Sequence, residues 1–232
     1  MKRDVAKKLS ETTKNSYDQM AREFSDTRTK FWEELEFLAE HATPGMQVID
    51  IGCGNGRFLG VLEPRQIVYT GVDNSTGLLA EAKRLHPNMN FVEGDATALP
   101  FLDKEFDIAF SFATIHHIAS KKMRALFVRE AARVLKPGST LILTTWDLRQ
   151  RKYLAKYLLS FIMHWNPFSR LDAGDIMLTF GRERRERYVH AFTEKELQEL
   201  LQKNGFTVID TDIVVRQSGS GQKNILVIAK KK

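Results

Sequence analysis

VIDIGCGNGRFL, residues 48–59, sets three glycines and the chain's single cysteine directly behind an apolar run. A short apolar strand that breaks into a glycine turn is the place where parallel α/β sheets hold ligands, at the carboxyl ends of their strands. The spacing of Gly52, Gly54 and Gly56 is G-x-G-x-G. It is neither the G-x-G-x-x-G of a pyrophosphate site nor the Lys-Ser/Thr ending of a phosphate loop. Glycines so spaced let the backbone pass close beneath a ligand with no Cβ in the way. Cys53 reads as a small spacer in a crowded turn.

Outward from this turn, residues 47–51, 67–73, 89–93, 106–112 and 139–146 read as short, mostly apolar strands. Helical patterns separate them, clearest over 121–135, where Met123, Leu126, Phe127, Val134 and Leu135 mark an apolar stripe that KPG ends. Strands buried on both faces and alternating with helices predict a doubly wound parallel sheet. Toward the end, a helix over 193–204 with Thr193 as N-cap and Glu196 completing a capping box leads into strands 206–215 and 224–230. QSGSGQ joins those strands as a hairpin, so one strand must run antiparallel to the rest.

The whole chain, residues 1–232, reads as one domain. Residues 1–44 form a helical cap with helices over 3–22 and 30–41, separated by FSDTRT. Residues 45–147 form the core, 148–192 interrupt the rhythm, and 193–232 hold the last helix and hairpin. The interruption predicts a helix over 153–164 followed by a basic arm; Pro167, Gly174 and Gly181 punctuate a stretch without clear period. It carries 9 Lys+Arg against 4 Asp+Glu, most of the net charge of +6. Such an excess fits either a polyanion partner or a solvated surface.

No apolar run reaches the ~20 residues of a membrane span, and the opening lacks a secretory apolar region. One cysteine is too few for a disulfide or a structural zinc site. The expectation is a cytoplasmic protein without membrane or metal partners.

Three acids sharpen the glycine turn. Asp50 precedes it, Asp73 ends the second strand and Asp95 follows the third. An acid ~20 residues beyond a glycine fingerprint commonly takes ribose hydroxyls. Three acids, with Arg57 as the lone base, suit a ligand with ribose, adenine and a cationic amino-acid tail better than a phosphate.

DIGCGNG, GVDNS, EGDATALPF, DIAFSFATIHHI and RVLKPGSTLILT, in this order, resemble the successive motifs of class I S-adenosylmethionine (SAM) methyltransferases over residues 45–146. The resemblance implies a seven-stranded Rossmann-like sheet with helices on both faces, SAM as cofactor and S-adenosylhomocysteine as product. It implies that Asp50, Gly52, Gly54, Asn55 and Gly56 support the methionine part, Asp73 and Asn74 the ribose, and Asp95 and Ala96 the adenine. Tyr17 and Phe112 complete the cofactor pocket.

YDQMAREFSDTRTKFW (17–32), IHHI (115–118) and RYVHAFTEKELQELLQKNGF (187–206) resemble a narrower group, the tRNA methyltransferases that esterify a carboxymethyl group on the wobble uridine. A small-molecule methyltransferase with the same core is the alternative. A carboxylate is already ionised at neutral pH, so its esterification needs no general base, and no catalytic residue is assigned. An Arg fork matches a carboxylate. Arg28 is one candidate, with an ion pair to Asp26 or Glu33 as its alternative, and Arg187 is another. His116 is expected to bind the acceptor. Trp146, stacking on a base or buried as core, and Asp147 are expected to face it. Arg149, Arg151, Lys152, Lys156, Arg182, Arg184, Arg185 and Arg187 could meet an anticodon stem-loop or pair with Glu183 and Glu186. The resemblance also allows a small activator subunit.

Overall fold

The computed structural model describes residues 1–164, 171–217 and 221–232. Pro167 and the tip of QSGSGQ (218–220) therefore lie outside the described residues. Strands β1 (Gln47–Ile51), β2 (Val68–Asp73), β3 (Asn90–Glu93), β4 (Phe106–Phe112) and β5 (Leu135–Trp146) run parallel. With β8 (Phe206–Val215) and β9 (Lys223–Lys231) they make a seven-stranded sheet in the order β3-β2-β1-β4-β5-β9-β8. β9 is antiparallel to both of its neighbours, so it is the reversed strand that the terminal hairpin demanded.

Helices cover both faces. Ile49, Ile51, Leu141 and Leu143 meet Phe127 and Val128 of α5 (Lys121–Val134) and Leu197 and Leu201 of α7 (Glu194–Lys203). Val48, Phe110 and Ile142 point the other way, toward Leu62 of α3 (Leu59–Leu62), Leu79 of α4 (Thr76–Leu85) and Leu35 and Leu38 of the 3-10 helix Glu33–His41. Each such side chain, fully buried, contributes about 1.5–3 kcal/mol of transfer free energy. Burial on both faces is also why the strands read as unbroken apolar runs.

Three local readings change. The first helix is broken at Met20 into α1 (Arg3–Gln19) and α2 (Ala21–Thr27), so FSDT is helical rather than a linker. Met20 lies directly against Gly181, where a Cβ would overlap its side chain. The capping box is half formed: Glu196 N–H donates to Thr193 Oγ1 at 3.1 Å, but the Glu196 carboxylate takes His190 Nε2 at 2.9 Å. The buried His190 imidazole, not the Thr193 N–H, is the partner of that carboxylate.

The largest change is in residues 148–192. α6 (Leu154–His164) forms as expected, but the basic arm is a second, separate hairpin of β6 (Asp175–Phe180) and β7 (Arg185–His190). Gly181 (φ 71°) and Arg184 (φ 51°) bend its four-residue turn. The hairpin lies on α1, where Tyr188 N–H donates to Thr13 Oγ1 at 3.0 Å and Ser16 Oγ donates to the Glu186 carbonyl at 2.6 Å. A buried chain ties it to α5: Arg124 Nη1 donates to Tyr188 Oη at 3.0 Å, and Tyr188 donates on to Asp175 at 2.6 Å. The turn has the sequence signature of a hairpin, an alternating DIMLTF followed by a glycine-containing loop.

Candidate active site

Strand order reverses between β1 and β4, and a cleft opens above that point, between the glycine loop, the segment after β4 and α1. It encloses about 1350 Å³ counting its open mouth.

One half of the cleft is acidic. Asp73 receives Gly54 N–H on one carboxylate oxygen and Ser75 N–H on the other, both at 2.9 Å. Its remaining lone pairs face the cleft as acceptors suited to a ribose diol. Asp95 is oriented by Thr97, whose N–H and hydroxyl reach it at 2.7 and 2.8 Å. Asn74, Ala96, Gly52 and Phe112 line the same wall. Phe112 meets Phe31 and Phe58 edge to face at ring separations of 4.8 and 4.5 Å. Asp50 lies on the floor and accepts from Tyr69 Oη at 3.0 Å. Burial, reinforced by nearby Asp73, pushes its pKa up to about 7.

The glycines divide their tasks. At Gly52 a Cβ would collide with Thr114, and at Gly56 it would press Phe91 at 3.0 Å. Gly54 is the open one: nothing lies nearer to such a Cβ than Leu78 Cδ1 at 4.0 Å, so its bareness leaves room for a ligand. Gly56 is therefore a packing glycine beneath the loop and does not line the cleft. Asn55 lines it, while its amide donates to Ser25 Oγ and the Arg28 carbonyl, both at 3.2 Å, tying the loop to the end of α2.

The other half is basic. The Arg187 guanidinium is sandwiched 4.4 Å from the Trp146 ring centre and 4.2 Å from that of Phe180. It donates to Tyr17 Oη at 3.0 Å, its Nε has no partner, and no acid pairs with it among the described residues. His117 Nδ1 sits 2.9 Å from the Tyr188 carbonyl, which only accepts, so Nδ1 carries the proton and Nε2 accepts from Tyr17 Oη at 3.0 Å. Burial and the Arg187 charge push His117 down to about 3, so the ring is neutral at physiological pH. The polarity of the chain is thereby set. Tyr17 gives its proton to His117 and offers its oxygen to Arg187. Arg28 and Arg57 line the cleft as well.

The structure corrects two acceptor assignments. His116 is fully buried, with Nδ1 3.1 Å from Thr145 Oγ1 and its ring packed behind Trp146, so it cannot touch an acceptor. Its neighbour His117 occupies the cleft instead. Asp147 is turned aside by Arg149, whose Nε reaches its carboxylate at 2.8 Å. For Arg28 the alternative ion pair does not form: Asp26 faces Arg22 at 3.4 Å, and Arg28 stacks 4.4 Å over the Phe24 ring.

The acids, the bare Gly54 and the aromatic wall fit a nucleoside cofactor with a cationic tail. Together with the seven-stranded sheet they define a class I SAM-dependent methyltransferase. Residues 49–143 match the family described as "Methyltransferase domain". A protein of Encephalitozoon cuniculi named as a methyltransferase is 35% identical over 199 residues, covering 84% of this chain and 86% of that one. The crystal structure of a SAM-dependent methyltransferase from Methanosarcina mazei superposes with a TM-score of 0.73 at 25% identity, covering 87% and 98% of the two chains. The tRNA (carboxymethyluridine(34)-5-O)-methyltransferase of Saccharomyces cerevisiae is 33% identical over 146 residues. That match covers 63% of this chain and about half, 52%, of the yeast protein. The chain belongs to the SAM-dependent methyltransferases and is related to those that act on tRNA wobble carboxymethyluridine.

Proposed function

We propose that the chain transfers the methyl group of SAM to the carboxylate of a carboxymethyl-modified wobble uridine in tRNA. The observation that carries this is Arg187, a buried guanidinium between two aromatic rings with no acid paired to it among the described residues. A desolvated cation without counter-ion is unfavourable, and an acceptor carboxylate supplies the missing charge. Bound SAM supplies an electrophilic methyl group on a sulfonium centre. The protein then has to hold the carboxylate in line and keep water out, because the nucleophile is already ionised. Arg187 holds one acceptor oxygen, the Tyr17–His117 chain fixes Arg187, and Trp146 offers its remaining edge to the base. Neutral His117 is not needed as a base.

The surface supports a polyanionic substrate. Arg182 and Arg184 are exposed at the hairpin turn, and Arg151 and Lys152 are exposed before α6. Arg149 and Arg185 leave the set, since they pair with Asp147 and Glu183. The test is transfer from labelled SAM to tRNA taken from cells lacking the enzyme, followed by nucleoside mass analysis. Labelled methyl ester at the wobble uridine is expected. Unlabelled tRNA, including tRNA bearing the free carboxymethyl group and assayed with and without an added activator subunit, would retire the proposal.

A further inference from the structure

Tyr17 and Asp18 are consecutive residues in the last turn of α1, so their side chains leave the helix about 100° apart. Tyr17 serves the acceptor half, between His117 and Arg187. Asp18 reaches the other way, to the start of α4. One of its carboxylate oxygens, Oδ1, accepts from Ser75 Oγ at 2.6 Å and from Gly77 N–H at 3.0 Å. Ser75 is the N-cap of α4 and takes Leu78 N–H on its own hydroxyl at 3.2 Å, so Asp18 satisfies the Gly77 N–H that this cap leaves open. The same Ser75 donates its N–H to Asp73 at 2.9 Å. Asp18 thus ties the turn that carries Tyr17 to the residue that orients Asp73. Two further links to this side, Lys14 to Glu93 at 3.9 Å and Arg22 to Glu81 at 3.6 Å, are long, and each has an exposed partner, so they fix the helices weakly.

Gly77 shows how close this contact is. Within a helix Ala is favoured over Gly. A Cβ at Gly77 would nevertheless lie 2.7 Å from the Asp18 carbonyl oxygen and 3.0 Å from Ala21 Cβ, so the glycine is what admits the end of α1 against α4. Asp18 itself does not line the cleft, whereas Tyr17 does. We infer that Asp18 is a positioning residue for methyl transfer: its grip on Ser75 and Gly77 sets the register of α1 at which Tyr17 Oη meets both His117 Nε2 and Arg187. The kinetic part of this inference rests on the acceptor reading above; the placement of Tyr17 does not.

Two measurements on the full chain test this, and the first needs no acceptor. In protein whose histidines carry nitrogen-15, the His117 Nε2 resonance reports the hydrogen bond from Tyr17 Oη, and Tyr17→Phe marks the position it takes without that bond. Asp18→Ala and Gly77→Ala attack the contact from its two sides, and each should move the resonance toward the Tyr17→Phe position. Asp18→Asn keeps an oxygen for both donors and should hold it near the wild-type position. A resonance unmoved in both Asp18→Ala and Gly77→Ala would overturn the inference. The second measurement is rapid-quench transfer to tRNA, with S-adenosylhomocysteine affinity read alongside. Asp18→Ala should lose about 5–10-fold in transfer, the size expected of Tyr17→Phe, with cofactor affinity within about twofold. Because both substitutions act through one hydroxyl, the double variant should lose less than about twofold beyond Tyr17→Phe alone. Losses that multiply, or a fall in cofactor affinity equal to the fall in transfer, would reduce Asp18 to a structural cap and overturn its positioning role. Wild-type protein that leaves tRNA unlabelled retires the acceptor reading instead, and the His117 resonance still decides the role of Asp18.

Discussion

The two halves of the cleft are built in opposite ways. On the cofactor side, Asp50, Asp73 and Asp95 each stand at or just beyond the end of a parallel strand, and backbone N–H groups of Gly54 and Ser75 hold the central carboxylate. On the acceptor side, Tyr17, His117, Trp146 and Arg187 come from four separate segments and are held by one another's side chains. The first half is a property of the sheet. The second exists only when the N-terminal helices and the β6–β7 hairpin have docked on it. Damage to one should leave the other readable.

The sharpest test of that independence is Asp73→Ala. It removes the ribose acceptor and strands two N–H donors, so affinity for S-adenosylhomocysteine measured by calorimetry should fall about 100-fold. Arg187→Gln comes next. The maximal transfer rate should drop by roughly 30–100-fold, while cofactor affinity stays within about twofold. A loss of cofactor affinity matching that of Asp73→Ala would mean that the halves are one unit. Tyr17→Phe deletes only the hydroxyl between His117 and Arg187, so rapid-quench kinetics should show a loss of about 5–10-fold in transfer with the cofactor dissociation constant little changed.

The smallest effect belongs to Asp50. Its carboxyl is raised from an unfolded value of ~3.9 to about 7 in the fold, mainly by burial. The folded, ligand-free state therefore holds a proton that the unfolded chain has released between those values. This group's contribution to stability is full below about pH 4 and is lost as pH rises toward 7. A cationic tail bound nearby favours the ionised form and expels the proton. Affinity for SAM should therefore rise a few-fold between pH 6 and 8, with proton release visible as a buffer-dependent binding enthalpy. Asp50→Asn should flatten both. A profile that stays equally steep in this variant would transfer the titration to another group.

This division also governs what the sequence discloses. Strand order, the glycine turn and the three acids are legible because each lies within a few residues of an apolar run whose meaning is local. The hairpin is harder to read because RERYVH buries a charged residue: Arg187 points inward onto Phe180 of the facing strand and onto Trp146 of β5, which lies outside the hairpin. His116 and His117 share the short 3-10 turn Ile115–His117, where consecutive side chains diverge by about 120°. Nothing local decides which of the two meets the cleft. Arg57 is legible as the one base among acids, whereas Arg28 reaches the cleft only through the docking of α2 from outside the core.

The docking of α1 has a consequence for how the molecule is made. Thr13 and Ser16 bond to Tyr188 and Glu186, partners 175 and 170 positions later in the chain. At ~5–20 residues per second of synthesis, helix α1 waits on the order of 10–30 s for the strand that receives it. Its amphipathic face is meanwhile without its native partner, a natural client for a holdase. The acceptor half of the cleft is thus completed only once β7 has been made, and nascent chains that have not yet produced β7 should be inert in methyl transfer.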